Sequence, residues 1–219
     1  MIGELFTYYW QNGSYVLEQF WRHFLMSAYG VLFAAIVAIP LGIFTARHAN
    51  LSGIVFFVAN FIQTIPSLAM LAILMLVLGL GATTVIVSLF LYSLLPILKN
   101  TYAGIRGVDP SLLEAGKAMG MTKGQILWKV EIPLSLAVIM GGLRNALVVA
   151  IGITAVGTFI GAGGLGDIIV RGTNVTNGAP IILAGAIPTA LMAVAADLLM
   201  GWFERKLLPA NQKRAARPS

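Results

Sequence analysis

The chain has 219 residues, 58% hydrophobic and 10% charged, with a mean hydropathy of +0.90 and a formal charge of +6. A soluble domain carries about 25% charged residues, so the supply is too small for a fully water-facing surface. The absence of cysteine excludes disulfide and thiol chemistry.

The opening stretch MIGELFTYYWQNG carries Glu4 and no basic cluster. It does not read as a cleavable signal. It reads as a short amphipathic segment with Tyr8, Tyr9 and Trp10 at headgroup level. Five apolar windows long enough to span follow, at 24–46, 51–79, 84–98, 134–160 and 180–203. Residues 49–98 hold no Asp, Glu, Lys or Arg. At about 1.5 Å per residue fifty residues exceed one span, so the run is divided at GLGATT, 79–84, and Pro66 is taken as a kink. The fold class is all-α, a polytopic membrane protein.

With five spans the termini lie on opposite faces. A cytoplasmic C-terminus puts Arg47, Lys99, Arg106, Lys117, Lys123, Lys129, Arg205, Lys206, Lys213, Arg214 and Arg217 inside, leaving Arg22 and Arg171 outside. Eleven against two predicts N-out, C-in in the plasma membrane. Trp21, Trp128 and Trp202 flank spans as anchors. The basic tail NQKRAARPS reads as a solvated end near anionic lipid rather than a nucleic-acid site.

Between the third and fourth windows lies the longest polar segment, residues 99–133, predicted as a cytoplasmic loop with two short helices. Asp109 is an N-cap with Pro110 at the first helical position. The first helix runs through Met119 and Gly120 ends it. Thr122 and Gln125 form a capping box opening the second. Leu112, Ala115, Gly116 and Met119 fall on one face. That face suits either its own bundle or a groove on another protein.

The fourth window carries Arg144 and the fifth Asp197, at similar depths by helical rise, which predicts a structural ion pair tying the two spans. Between them TFIGAGGLGDII matches G-x-G-x-x-G at Gly161, Gly163 and Gly166. A dinucleotide turn needs a preceding strand and an acid about 20 residues on. Here an apolar run precedes and Asp197 is the next acid after Asp167. The match is not nucleotide chemistry. Gly161, Gly163, Gly164 and Gly166 read as an outer loop of close-packed backbone. No G-x-x-x-x-G-K-[ST] occurs, so no P-loop binds ATP on this chain.

Glu114-Ala115-Gly116, then Gly120, then Val130-x-Ile132-Pro133 resembles the E-A-A-x3-G-x9-I-x-L-P loop of ABC importer permeases. Gly116, Val130 and Ile132 depart from it and keep small or aliphatic character. FIQTIPSLAMLAIL, LYSLLPILKNTYAGI, VEIPLSLAVIMGGLR and IGAGGLGDIIVRG resemble the short permeases of osmoprotectant importers for glycine betaine, carnitine and choline. The resemblance implies a type I importer fold, with residues 1–219 as one permease domain and 99–133 as the coupling loop. It implies that Leu112, Glu114, Ala115, Gly116, Met119, Gly120 and Pro133 serve a cytoplasmic ATPase. It further implies a second permease subunit and an extracytoplasmic binding protein. ATP and Mg are expected on the partner ATPase and no cofactor on this chain, which is therefore not itself the enzyme.

Gln63, Thr64, Tyr92 and Asn100 are the polar or aromatic residues within spans to test as pathway lining, each equally compatible with helix packing. A cation–π cage for a quaternary ammonium is expected in the binding protein. His23 and His48 are isolated and interfacial, so no metal site is expected. A secondary transporter or channel driven by ion gradients is the rival. It predicts acids within spans and internal repeats, of which only Asp197 is found. A purely structural subunit is the third reading, and predicts a dispensable loop.

Overall fold

Hydrocarbon offers no partner for a backbone N–H or C=O, so the charge-poor runs satisfy their own backbone as helices. The computed structural model describes residues 2–208, so Lys213, Arg214, Arg217 and the tail expected near lipid lie outside the described residues. The elements in order are α1 (Ile2–Arg47), α2 (Ala49–Thr64), α3 (Ser67–Leu78), α4 (Ala82–Arg106), α5 (Pro110–Ala118), α6 (Lys123–Ile126), α7 (Ile132–Val156), α8 (Leu165–Thr173) and α9 (Ala179–Leu207). A π-helical turn at Leu127–Glu131 joins α6 to α7, and a 3-10 turn at Gly157–Ile160 ends α7. Among the described residues α1, α4, α6–α7 and α9 are long and apolar enough to cross a membrane.

The first expected boundary is too short. Helix α1 begins at Ile2 rather than at 24, and its backbone leaves helical geometry only at Asn12 (φ −122°, ψ 18°). That kink separates the tyrosine-rich N-terminal turns from the spanning part. Tyr9 there donates to the Ala184 carbonyl at 3.2 Å, so the segment is tied to α9.

The second expected span is not one helix. Pro66 has no N–H and forces the residue before it out of the helical region. Ile65 is accordingly extended (φ −70°, ψ 125°). The axes of residues 50–64 and α3 differ by 97°, a break rather than a kink.

The loop expected at 99–133 is shorter. Helix α4 continues past Lys99 and Asn100, whose side-chain amide bonds back to the Pro96 carbonyl at 2.8 Å, and stops at Gly107. At the far end α6 passes through the π-turn into α7 without a gap.

Helix α4 packs between α1 and α7, and α7 packs on α9. The core is built of Ala34 and Ala38 from α1, Val85, Leu89 and Leu98 from α4, and Ala146 and Ala150 from α7. Lipid tails are as apolar as these side chains, so close backbone approach rather than water exclusion binds the helices. A β-carbon at Gly42 would come 2.7 Å from Thr101 Cβ, and one at Gly142 2.7 Å from Asn100 Cβ. Facing outward, Phe57, Leu76, Val77 and Leu191 are exposed.

Candidate functional site

Four arrangements follow from this frame, two at the ends of the bundle and two within it. At the end carrying α5, Asp109 caps the helix by accepting from the Ser111 N–H at 2.9 Å. That bond also holds its carboxyl below the usual value. The Thr122–Gln125 box is reciprocal, with bonds of 2.8 and 3.3 Å, and fixes the start of α6. Between them Gly120 turns the chain at φ +77°, a left-handed value that glycine adopts without strain.

Helix α5 is therefore held in one orientation with two unlike faces. Gly116 is buried, and a β-carbon there would sit 3.4 Å from Met121 Sδ and 3.5 Å from Ile126. Leu112, Glu114, Ala115 and Met119 are exposed, Met119 to 75%. The expected single stripe is thus split. Gly116 belongs to the inner face because Met121 and Ile126 fold back against it. Pro133 is exposed in the first turn of α7. Beneath α5, Arg47 donates to Glu131 at 2.7 Å and to the Lys123 carbonyl at 3.2 Å, tying α1 to the start of α7.

Within the bundle, Arg144 Nε and Nη2 donate to Asp197 Oδ1 and Oδ2 at 2.6 and 2.7 Å. Its Nη1 donates to Glu204 Oε2 at 3.2 Å. Gly201 makes room, since a β-carbon there would lie 3.1 Å from the guanidinium. Glu204 lies one residue beyond the expected fifth span, 180–203, so the sequence does not point to it. Its spacing of seven from Asp197 puts both on one helix face. The triad opens into a cavity of about 410 Å³ shared with Asn100 and Asn145. The Arg144, Asp197 and Glu204 side chains remain 37, 40 and 31% exposed.

The other pathway candidates gather elsewhere. Gln63 donates to the Tyr92 carbonyl at 3.3 Å, and the Tyr92 hydroxyl donates to the Ile65 carbonyl. Together they tie the α2–α3 break to α4 and occupy a carbonyl at the end of α2. Thr64 bonds its own helix at Phe61. Asn100 stands apart from these three, in the triad cavity.

At the opposite end, Gly161, Gly163 and Gly164 all have positive φ, +71°, +73° and +84°, and reverse the chain from α7 into α8. The first amides of α8 are capped from α1. Gln19 Oε1 accepts from the Gly164 N–H at 2.7 Å, and His23 Nδ1 accepts from the Leu165 N–H at 3.2 Å. His23 Nε2 then donates to the Ile151 carbonyl at 2.8 Å, so its two partners select one neutral tautomer. His23 is fully buried between these partners. Tyr15 and Arg171 both donate to the Asp167 carboxylate, Arg171 at 2.7 Å.

Gly166 is buried where α8 crosses α7, and a β-carbon there would lie 2.8 Å from the Ala155 carbonyl carbon. Gly166→Ala is therefore expected to destabilise the fold by about 1–3 kcal/mol, the usual cost of overpacking. A lower melting temperature of the purified protein checks this. Unchanged melting would show that α8 shifts freely.

The family described as binding-protein-dependent transport system inner membrane component matches residues 38–209. A carnitine transport permease protein of Listeria monocytogenes, OpuCD, is 70% identical over 213 residues, covering 97% of this chain and 96% of the relative. A glycine betaine/carnitine/choline transport system permease protein of Bacillus subtilis (strain 168), also OpuCD, is 71% identical, covering 98% and 93%. Among solved structures, a chain of the MetNI methionine ABC transporter in an inward-facing conformation superposes with a TM-score of 0.79. At 22% identity it covers 89% of this chain and 96% of its own, a likeness of fold.

Proposed function

This chain belongs to the family of binding-protein-dependent transport system inner membrane components, and on that premise we propose that it is the permease of an ATP-driven importer for glycine betaine, carnitine or choline. The observation carrying the solute class is about 70% identity, over nearly the whole chain, to permeases named for those solutes. The solute crosses between this bundle and a second permease, after delivery by an external binding protein. A polar cavity holding Arg144 and Asp197 from within the expected spans, with Glu204 just past the end of one, supports the second bundle, because hydrocarbon does not solvate such groups.

Energy comes from a separate ATPase bearing ATP and Mg. The outward stripe of Leu112, Ala115 and Met119, unpaired with the rest of the bundle, is the surface on which that subunit docks. Gly116 and Gly120 hold the helix in place, and Glu114 flanks the stripe.

Uptake of labelled betaine, carnitine and choline by a deletion strain, with and without this chain, tests the reading. Restored uptake of at least one supports it; restoration of none with the partners present refutes it. The basic-residue count further gives N-out, C-in. A reporter fused after Ser219 is expected to read as cytoplasmic, and an external signal would reverse the arrangement.

A further inference from the structure

Where α1 ends beside the start of α7 the structure leaves a groove of about 520 Å³. Its walls are apolar: Ile39, Ile43 and Phe44 from α1, with Ile132, Leu136 and Ile139 from α7. Arg47 and His48 line it too. The same two residues open a second cavity of about 440 Å³, under α5, together with Arg106, Lys117 and Lys123. Glu131 is the only carboxylate lining that cavity, and Arg47 already occupies it at 2.7 Å. Among the described residues Arg106, Lys117 and Lys123 have no carboxylate within salt-bridge distance. The cavity thus holds four cations against one acid.

The two spaces share Arg47 and His48 as lining residues, and one is apolar where the other is cationic. The apolar part runs alongside spanning turns of α1 and α7. The cationic part lies where α1 and α4 end beneath α5, and Trp128, a residue type that favours the headgroup level, lines the apolar part. A soluble anion would use the cations and leave the groove open. A neutral lipid would fill the groove and leave the cations unanswered. An amphiphile with an anionic head answers both.

We propose that this composite site holds an anionic phospholipid, one acyl chain along α1 and α7 and the phosphate among Arg47, Arg106, Lys117 and Lys123. Lys117 and Leu113 line the cavity from α5, while Leu112, Ala115 and Met119 face away from the bundle. The lipid therefore ties the inner face of α5 to α1 and α4 without covering the face assigned to the ATPase. Anionic lipid then steadies the helix through which transport is driven.

The assembled transporter, stripped of lipid and given phosphatidylglycerol or phosphatidylcholine, is examined by native mass spectrometry. Selective retention of phosphatidylglycerol is expected, falling about tenfold in the double variant Arg106→Gln with Lys117→Gln, whose side chains are exposed. Leu136→Trp, which fills the groove, is expected to lower retention with all the cations in place. Inorganic phosphate and glycerol 3-phosphate at millimolar concentration should not displace the lipid. Equal retention of phosphatidylcholine, full retention by the double variant, or displacement by either soluble anion would overturn the site. If Leu136→Trp does not assemble, the double variant and the competition decide alone.

Discussion

Met119→Glu, alone or with Leu112→Glu, is expected to leave the permease folded in the membrane and to remove solute-stimulated ATP hydrolysis. Neither side chain supports the bundle: they are 75 and 45% exposed on the outer face of α5. A carboxylate placed in an apolar cleft of a partner is desolvated without a counter-charge, and central interface anchors typically account for about 2 kcal/mol or more each, roughly thirtyfold in association. Gly120 supplies a backbone control. At φ +77° a β-branched residue is strained by about 1–3 kcal/mol, whereas Asn tolerates the region. Gly120→Val should therefore uncouple hydrolysis from solute, and Gly120→Asn should largely preserve coupling. Measured hydrolysis and uptake at wild-type rates in Met119→Glu would return α5 to a structural role.

Neutralising Arg144 is expected to damage transport more than neutralising either of its partners. Arg144 bonds both Asp197 and Glu204, so Arg144→Gln leaves two facing carboxylates without a cation. Asp197→Asn leaves the guanidinium to Glu204, and Glu204→Gln leaves the two-bond contact with Asp197 intact. Uptake should fall in that order, by about tenfold or more for Arg144→Gln, since an unpaired charge at spanning depth is costly. Exchanging the pair, Arg144→Asp with Asp197→Arg, should restore part of the loss. Restoration stays partial because the new Asp at 144 faces Glu204. Uptake and thermal unfolding of the assembled transporter read the series. An exchanged protein no better than Arg144→Gln, or a Glu204→Gln variant worse than it, would dismiss the triad as a structural unit.

Both experiments address residues whose types the sequence supplies and whose partners it does not. The caps of α5 and α6 were legible because capping is local: Asp109 with Pro110, and Thr122 with Gln125, act within three residues. Which way α5 faces was not, since the helix edge at Gly116 is decided by Met121 and Ile126 folding back against it. The same limit explains His23 and Gln19. Their partners, the Leu165 and Gly164 amides, lie more than 140 positions along the chain.

By itself the sequence determined a helical membrane bundle, its apolar windows, and the caps and glycine turn that open α5 and α6. Those features depend on hydropathy and on nearest-neighbour backbone chemistry, which the order of residues contains. The tertiary structure alone decided the 97° break at Pro66, the third member of the Arg144 triad and the meeting of an apolar groove with a cationic cavity at Arg47 and His48. A proline permits a kink or a break, and in the structure the bonds from Gln63 to the Tyr92 carbonyl and from Tyr92 to the Ile65 carbonyl tie the broken form to α4. Likewise, helical spacing gives the face a charge occupies, while the packed helices determine which charge it meets.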